Sequence, residues 1–205
     1  TDIDTDNSAI TFTVSGSEVS ITSAGVLTFA SAPDYETKTS YTATVTATDG
    51  TNSTMQSITV SITNLNDNSP AFTSSASLSA NENQTTTGTV AASDADGNTL
   101  SYSISGTDAS SMGINSSSGA LTFNSAPDYE AKSSYSVIAT ASDGTNSKTQ
   151  SITVSVNDLN ESPAFASSAS FNAAENQTSI GSVSVSDPES GSITYALSGT
   201  DASSM

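Results

Sequence analysis

The sequence predicts an all-β chain built from tandem antiparallel Greek-key sandwiches, each with seven short strands. Three observations predict it: segments recur at an interval of about 93 residues, apolar residues alternate with polar ones inside each copy, and Gly, Asn, Asp and Ser separate the alternating stretches. Alternation with a period of two is typical of strands with one buried face. Seven such strands in a repeat of this length favour a sandwich.

The repeat length follows from short motifs that return along the chain. The pentapeptide Ala-Pro-Asp-Tyr-Glu occupies 32–36 and 126–130, and Ser-Pro-Ala-Phe occupies 69–72 and 162–165. These matches divide the chain into three copies. Residues 1–68 are a copy that lacks its first strand or strands, residues 69–161 are a complete copy, and residues 162–205 are the N-terminal half of a third. We therefore expect this sequence to be a window cut from a longer array.

Alternation also places the individual strands of the complete copy. Its strands are expected near 75–80, 87–93, 99–105, 111–115, 119–123, 135–141 and 152–156. The residues expected to point inward in the last two are Tyr135, Val137, Ala139, Ala141, Ile152, Val154 and Val156. The first copy repeats this pattern with Tyr41, Ala43, Val45, Ala47, Ile58, Val60 and Ile62.

Composition excludes several classes of function. Hydrophobic residues make up 34% of the chain and Trp is absent, which suits the thin core of a small sandwich. With no His and no Cys, the chain has neither the commonest general base nor a disulfide, and we expect no enzyme activity. A net charge of −18 with three basic residues argues against nucleic acids and anionic membranes as partners. The sequence shows no signal peptide and no apolar run long enough to insert into a bilayer.

The acidic residues are concentrated where the predicted strands end. All of them except Asp2, Glu18, Asp108 and Asp201 belong to five clusters that recur between copies. The clusters are Glu82 and Glu175 after the first strand; Asp4 with Asp6, Asp94 with Asp96, and Asp187 with Glu189 after the second; Asp34 with Glu36, and Asp128 with Glu130 after the fifth; Asp49 and Asp143 after the sixth; and Asn64 to Asn68 and Asp158 to Glu161 at the close of a repeat. Because strand ends gather at the two poles of a sandwich, these clusters are expected to meet at the joint between consecutive copies.

Such a joint needs cations. Two like charges a few ångströms apart repel by about 4 kcal/mol at an effective dielectric near 20. Calcium fits the residues present, because it accepts about 6–8 oxygen ligands in flexible geometry, whereas transition metals prefer the absent His and Cys. Turn residues with a solubilising charge are the alternative, and the recurrence of the clusters disfavours it. The expected ligands at the joint of copies 1 and 2 are the carboxylates of Asp34, Glu36, Asp67, Asp94, Asp96 and Asp143, the amide oxygens of Asn64 and Asn66, and the carbonyl oxygens of Leu65, Asn68 and Asn98.

The same residues resemble a known family. Asn64–Phe72 resembles the Asp-x-Asn-Asp-Asn-x-Pro-x-Phe linker of cadherin repeats, Ala80–Asn83 their Glu-Asn motif and Asp128–Glu130 their Asp-x-Glu motif, while Asp94–Asp96 and Ala141–Gly144 are similar to motifs at the opening end of a repeat. The resemblance covers essentially the whole chain. It implies a seven-stranded, Ig-like cadherin-type sandwich that binds up to three calcium ions per joint. The ligands implied at the second joint include Leu159 and Asn160 beside the acids named above.

The two linkers depart from the family pattern in different ways. Asn64 replaces the first Asp of the first linker and removes one charge. The second linker has Glu161 in place of Asp, is one residue shorter and lacks an equivalent of Asn68, while Glu189 puts a longer acid at the opening end of the third copy. We therefore expect the second joint to hold fewer ions, or to hold them at a different angle. Shortened linkers of this kind resemble those of bacterial cadherin-like domains in large surface adhesins.

The sequence argues against two other kinds of site, an EF-hand loop and a glycosidase active site. Asp94–Asn98 begins like an EF-hand loop, but its Gly stands at position four rather than six, and position twelve is Ser105. The Asp34 and Glu36 pair could serve as a glycosidase dyad. That interpretation fails because the pair recurs in each copy and the chain has no aromatic platform for a sugar.

The function expected from the sequence is a calcium-stiffened extender in an extracellular, bacterial cell-surface adhesin. Its partners would be calcium ions and the adjacent repeats of the same chain. One alternative is that the repeats themselves mediate homotypic or glycan adhesion, which would need an exposed apolar or aromatic patch. Another is a structural filament or sheath in which the open copies of one chain are completed by another chain.

Overall fold

The computed structural model describes residues 10–202, in which the chain forms two compact units. The first unit extends to Pro70 and includes two loops of the complete copy, Ser93–Leu100 and Asp143–Asn146. The second unit consists of Ala71–Ala92, Ser101–Ser142 and the residues from Ser147 onward. The expected ligands Asp4 and Asp6 lie outside the described residues.

The first copy contributes five strands to the first unit. They are β1 (Thr11–Val14), β2 (Val19–Ile21), β3 (Leu27–Phe29), β4 (Ser40–Thr48) and β5 (Ser53–Ser61). One sheet has the order β1-β4-β5 and the other pairs β2 with β3, all antiparallel. Its inward residues are mostly half-buried, because residues 10–70 contain no counterparts of the first two strands of the complete copy.

The complete copy forms the expected sandwich. Its strands are β6 (Ala71–Phe72), β7 (Ser77–Asn81), β8 (Thr86–Thr89), β9 (Ala92–Ser93), β10 (Ser101–Ser105), β11 (Met112–Ile114), β12 (Ala120–Phe123), β13 (Ser134–Ser142) and β14 (Ser147–Asn157), with a 3-10 helix at Ala109–Ser111. A four-stranded sheet of order β10-β13-β14-β7 faces a three-stranded sheet of order β11-β12-β8. The all-β, seven-stranded fold is confirmed, but the expected antiparallel pairing is wrong at one edge, where β7 lies parallel to β14. The expected strand at 87–93 divides into β8 and β9 because the chain changes partner there, from β12 to β6.

The core of the complete copy lies between these two sheets. Alternation identified its main residues correctly: Val137, Ala139, Ile152 and Val154 are at most 1% exposed. Phe123 from the facing sheet packs edge-to-face on Tyr135, with ring centroids 4.9 Å apart. Burial of this apolar face holds the sheets together and fixes the strand ends that carry the acids.

Residues 162–202 form only β15 (Ala164–Phe165) and β16 (Val185–Ser186). In the complete copy, β7, β8 and β10 pair with β14, β12 and β13. Residues 162–202 include no equivalents of those later strands, so Phe171 and Leu197 remain 41% and 68% exposed.

Two acids that the clusters leave out form ion pairs. Glu18 pairs with Lys38 at 2.6 Å, and Asp108 pairs with Lys132. Each lysine also lies over a tyrosine ring three residues later in the chain, 4.4 Å from its centroid in the first copy and 4.6 Å in the second. The hydrogen bond from Lys132 lowers the pKa of Asp108. Sequence analysis did not assign these pairs, although Lys38 and Lys132 occupy the same position of the repeat.

Gly119 packs tightly against Val90, the residue that follows β8. A Cβ at Gly119, where φ is +70°, would lie 2.0 Å from the carbonyl oxygen of Val90, so Gly119→Ala is expected to destabilise the second unit by about 3–5 kcal/mol. The matched control is Gly25→Ala at the same position of the first copy, with φ of +81° and only the Phe12 ring nearby at 3.6 Å. That change should cost about 1–2 kcal/mol. Urea unfolding followed by circular dichroism measures both, and equal losses would contradict the prediction.

Candidate metal centres

Three carboxylates converge in the first unit, and we call Glu36, Asp67 and Asp96 the first centre. Carboxylate oxygens of the three lie within 4.8 Å of one another. Glu36 comes from the connection between β3 and β4, Asp67 from the linker after β5, and Asp96 from the loop after β9. Residues from two sequence copies therefore meet at one point of the same compact unit.

Asp34 shapes the loop that presents Glu36. Its Oδ1 accepts hydrogen bonds from the backbone N–H groups of Glu36 and Thr37 at 3.0 and 3.2 Å, and its Oδ2 accepts one from the Thr37 hydroxyl. These bonds from Thr37 lower the pKa of Asp34. Asp34 is thus engaged by its own loop and is not part of the first centre; its part as a calcium ligand stays a prediction.

The linker is bound to the 94–98 loop through amide groups. The Asn64 Nδ2 donates to the Asp96 carbonyl oxygen at 2.9 Å, and the Asn68 backbone N–H donates to Asp96 Oδ2 at the same distance. Burial raises the pKa of Asp96, but the hydrogen bonds from Asn68 outweigh it and the net shift is downward. Burial and the neighbouring Asp96 raise the pKa of Glu36. Of the two, Glu36 is therefore the more readily protonated, and Asp96 keeps its charge to lower pH.

Buried oxygens without partners provide a test of whether these residues suit a cation. Within the described residues, Asn64 Oδ1, Asp94 Oδ2 and Asp143 Oδ2 are buried and accept no hydrogen bond. Leaving such an oxygen unsatisfied costs about 1–3 kcal/mol, and more when it is charged. An open cleft of about 470 Å³, lined by Asp34, Glu36, Asp67 and Asn68 among others, leaves room for ions. Oxygen ligands alone, several of them anionic, fit calcium.

The second unit holds two further carboxylate triads that share Glu130. One consists of Glu82, Asp128 and Glu130, and the other of Glu130, Asp158 and Glu189. The Glu130 backbone N–H lowers the pKa of its own side chain, but burial and the charges of Glu82, Asp158 and Glu189 outweigh it and raise that pKa. We call these five residues the second centre.

Glu82 is the buried residue of the second centre, with an exposure of 2%. Its Oε2 accepts a hydrogen bond from the Tyr129 backbone N–H at 2.9 Å, and its Oε1 accepts one from the Leu159 backbone N–H at 2.7 Å. A single carboxylate therefore joins the end of β7, the Asp-x-Glu loop and the linker.

Glu161 lies beside the second centre and interacts with Glu189, which belongs to that centre. Their hydrogen bond raises the pKa of Glu161 to about 7 and lowers that of Glu189. Asn83, in a left-handed conformation with φ of 63°, also donates its Nδ2 to Glu161 Oε1 at 2.5 Å. Glu161 Oε2 and Glu189 Oε2 are buried with no N–H or hydroxyl donor among the described residues, so a proton shared between the two carboxyl groups, or a cation in its place, is what can satisfy them.

The remaining expected ligands are placed as follows. Asp49 and Asp143 each accept hydrogen bonds from two backbone N–H groups of their own turn. The Asp94 carboxylate accepts one from the Asn98 N–H, and the Asp187 carboxylate accepts one from the Gly191 N–H. The Asn160 side chain donates to the Glu161 carbonyl oxygen. Leu65 and Leu159 are 68% and 42% exposed. Glu175 is exposed and belongs to none of the carboxylate triads found in residues 10–202.

One residue near the first centre escaped sequence analysis. The Asn146 side chain donates toward the linker, to Asn68 O at 3.2 Å and to Asn66 Oδ1 at 3.3 Å. The available signal was the tetrapeptide Asp-Gly-Thr-Asn, which occurs at both 49–52 and 143–146. Only its Asp was recognised, because only the Asp has an obvious role toward a metal.

Comparison with known proteins agrees with this geometry. The family model of the Cadherin domain matches residues 74–157. A structure of protocadherin gammaB7 EC3-6, described as a cis-dimer, is 27% identical with a TM-score of 0.69, covering 89% of this chain and 51% of that one. Mouse cadherin-23 EC22-24 is 25% identical with a TM-score of 0.66, covering 91% of this chain and 68% of that one. Extracellular cadherin domains 3-6 of protocadherin gamma B2 are 25% identical with a TM-score of 0.70, covering 89% and 52%.

This chain thus spans about half the length of the first of these structures. A search of the curated proteins gives no match. Within residues 10–202, no helix has the length and apolar character needed to cross a membrane. Cadherin domains are adhesion modules and generally bind calcium. The family match, the seven-stranded sandwich and the similar structures agree that residues 74–157 are a cadherin domain.

Proposed function

We propose that this chain binds calcium at both joints through the first and second centres. The observation that supports this most directly is the set of buried oxygens without partners beside the carboxylate triads, at Asn64, Asp94 and Asp143 in the first unit and at Glu161 and Glu189 in the second. A divalent cation would satisfy these oxygens and offset the repulsion among the acids. When bound, calcium supplies positive charge and flexible oxygen coordination, while the chain supplies the ligands.

We further propose that calcium stiffens each joint, so that the repeats act as an extender of an extracellular, bacterial surface adhesin. The ligands of the first centre come from two sequence copies, and ions shared between them would restrain the linker. The outward residues of β13 and β14 are Ser and Thr, apart from Asn157 and Ile138, and Ile138 is 40% exposed. Since the faces of the complete copy present so little apolar surface, adhesion by the repeats themselves has less support.

The test is small-angle scattering of the chain in calcium and in chelator. Calcium is expected to lengthen the maximum dimension and narrow the distribution of distances, and titration calorimetry should show uptake at both joints. Identical scattering in the two conditions would refute the extender, whereas absence of calorimetric uptake would refute calcium binding itself. Aggregation of beads coated with the chain would instead favour homotypic adhesion.

Calcium binding at the second joint should depend on pH near neutrality. Because the pKa of Glu161 is raised to about 7, the calcium-free chain takes up a proton there as the pH falls below that value. Calcium must displace this proton, so its affinity should fall by up to about tenfold per pH unit below 7. Calorimetry from pH 6 to 8 measures this, and Glu161→Gln should remove the dependence. A flat profile in the unchanged chain would contradict the prediction.

The same shift has the opposite consequence for the calcium-free fold. A carboxyl group whose folded pKa is raised contributes stability that is fully present below its ordinary pKa of 4.5 and is lost as the pH rises through about 7. In chelator, the free energy of unfolding of the second unit should therefore decrease across this window. Urea unfolding at several pH values checks the sign.

A further inference from the structure

Asn146 connects the loop between β13 and β14 to a linker that lies about 80 residues away in sequence. Its Nδ2 is 3.2 Å from the Asn68 carbonyl oxygen, 3.3 Å from Asn66 Oδ1 and 3.5 Å from the Asn66 carbonyl oxygen. All of these residues belong to the first unit. One side-chain amide therefore faces three oxygens of a single linker segment.

The backbone of Asn146 is fixed by the turn that contains it. Its N–H donates to Asp143 Oδ1 at 2.6 Å, and its carbonyl oxygen accepts the Asp143 N–H at 3.2 Å. These bonds fix the backbone from which the side chain reaches the linker, and they link its position to Asp143, an expected ligand at the first joint. The same turn thus presents a candidate ligand and the amide that contacts the linker.

We propose that Asn146 is a positioning residue that holds the linker oxygens of Asn66 and Asn68 in place for calcium at the first joint. This rests on the proposed calcium function. A carbonyl oxygen has two lone pairs, so it can accept a hydrogen bond from Asn146 and still coordinate an ion. Hydrogen bonds to ligands of this kind orient them before the metal arrives, and losing one typically lowers metal affinity by about 10–100-fold.

The competing role for Asn146 is that its own Oδ1 coordinates the ion. The substitution Asn146→Asp separates the two roles, because it keeps the size of the side chain and removes its donor. If Asn146 positions the linker, both Asn146→Asp and Asn146→Ala weaken calcium binding at the first joint. If Asn146 is itself a ligand, the added charge in Asn146→Asp strengthens binding while Asn146→Ala weakens it.

The experiment uses the whole chain and two measurements. Hydrogen exchange of the 64–68 amides in chelator reports the order of the linker without any metal, and Asn146→Ala should speed it by about 3- to 10-fold, the effect of one lost hydrogen bond. Calorimetry should show about a tenfold loss of calcium affinity at the first joint. The second joint, which is built from other residues, serves as an internal reference.

The matched control is Asn52→Ala in the first copy. Asn52 occupies the same Asp-Gly-Thr-Asn turn, with its backbone N–H on Asp49 Oδ1 at 2.7 Å, but the whole of β5 separates it from the linker. Asn52→Ala should leave the hydrogen exchange of the 64–68 amides and the calcium affinity of the first joint unchanged.

The inference is overturned if Asn146→Ala leaves linker exchange at the wild-type rate in chelator, or if Asn146→Asp binds calcium more tightly than the unchanged chain. Failure of the calcium proposal gives a different result, namely no calcium uptake by the unchanged chain. In that case, the exchange measurement still decides whether Asn146 holds the linker.

Discussion

In chelator, the chain is expected to melt about 10–20 °C below its calcium-saturated form. A site filled at 100 times its Kd adds about 2.7 kcal/mol to the free energy of unfolding of the unit that holds it. For a compact unit of about 60–100 residues, each kcal/mol shifts the melting temperature by about 4–8 °C. The physical reason is that the carboxylates of each centre repel one another in the folded state until a cation neutralises them.

Differential scanning calorimetry with calcium, with magnesium and with chelator measures this shift. Asp96→Asn removes a ligand of the first centre and should reduce the difference, whereas Asp201→Asn removes the same charge from an acid outside the clusters and should not. Magnesium should stabilise less, because it retains its waters and demands octahedral geometry. A melting temperature that chelator does not change would contradict calcium binding.

The second large effect concerns Glu82, and it should persist without calcium. Glu82→Ala leaves the backbone N–H groups of Tyr129 and Leu159 without their buried acceptor, so we expect the second unit to lose about 3–5 kcal/mol of stability even in chelator. Glu82→Gln should lose less, because one oxygen remains while the new NH2 group faces a donor. Urea unfolding of each variant in chelator gives these values.

Glu175→Ala is the matched control, since Glu175 occupies the same position of the repeat as Glu82 but is exposed. Its effect should stay within about 0.5 kcal/mol, as for other surface substitutions. If Glu82→Ala destabilised the chain only in the presence of calcium, Glu82 would be a metal ligand without the structural role that its hydrogen bonds indicate.

Much of the fold could be predicted because strand formation and burial follow local alternation. Val137, Ala139, Ile152 and Val154 stand at every second position and are buried on one face of their sheet. The division of the 87–93 segment into β8 and β9 could not be predicted in this way, because it depends on which distant strands supply hydrogen bonds. Local pattern specifies which face is buried, but not which partner pairs with it.

The acids show the same division between local and tertiary information. The sequence alone determined that they gather at strand ends in recurring clusters, since strand limits and repeat spacing are properties of the chain itself. Only the tertiary structure decided that Glu36 converges with Asp67 and Asp96 while Asp34 binds its own loop. It also decided that Asn146 reaches the linker. A carboxylate or amide exchanges partners over a few ångströms, and those distances are set by the packing of segments far apart in sequence.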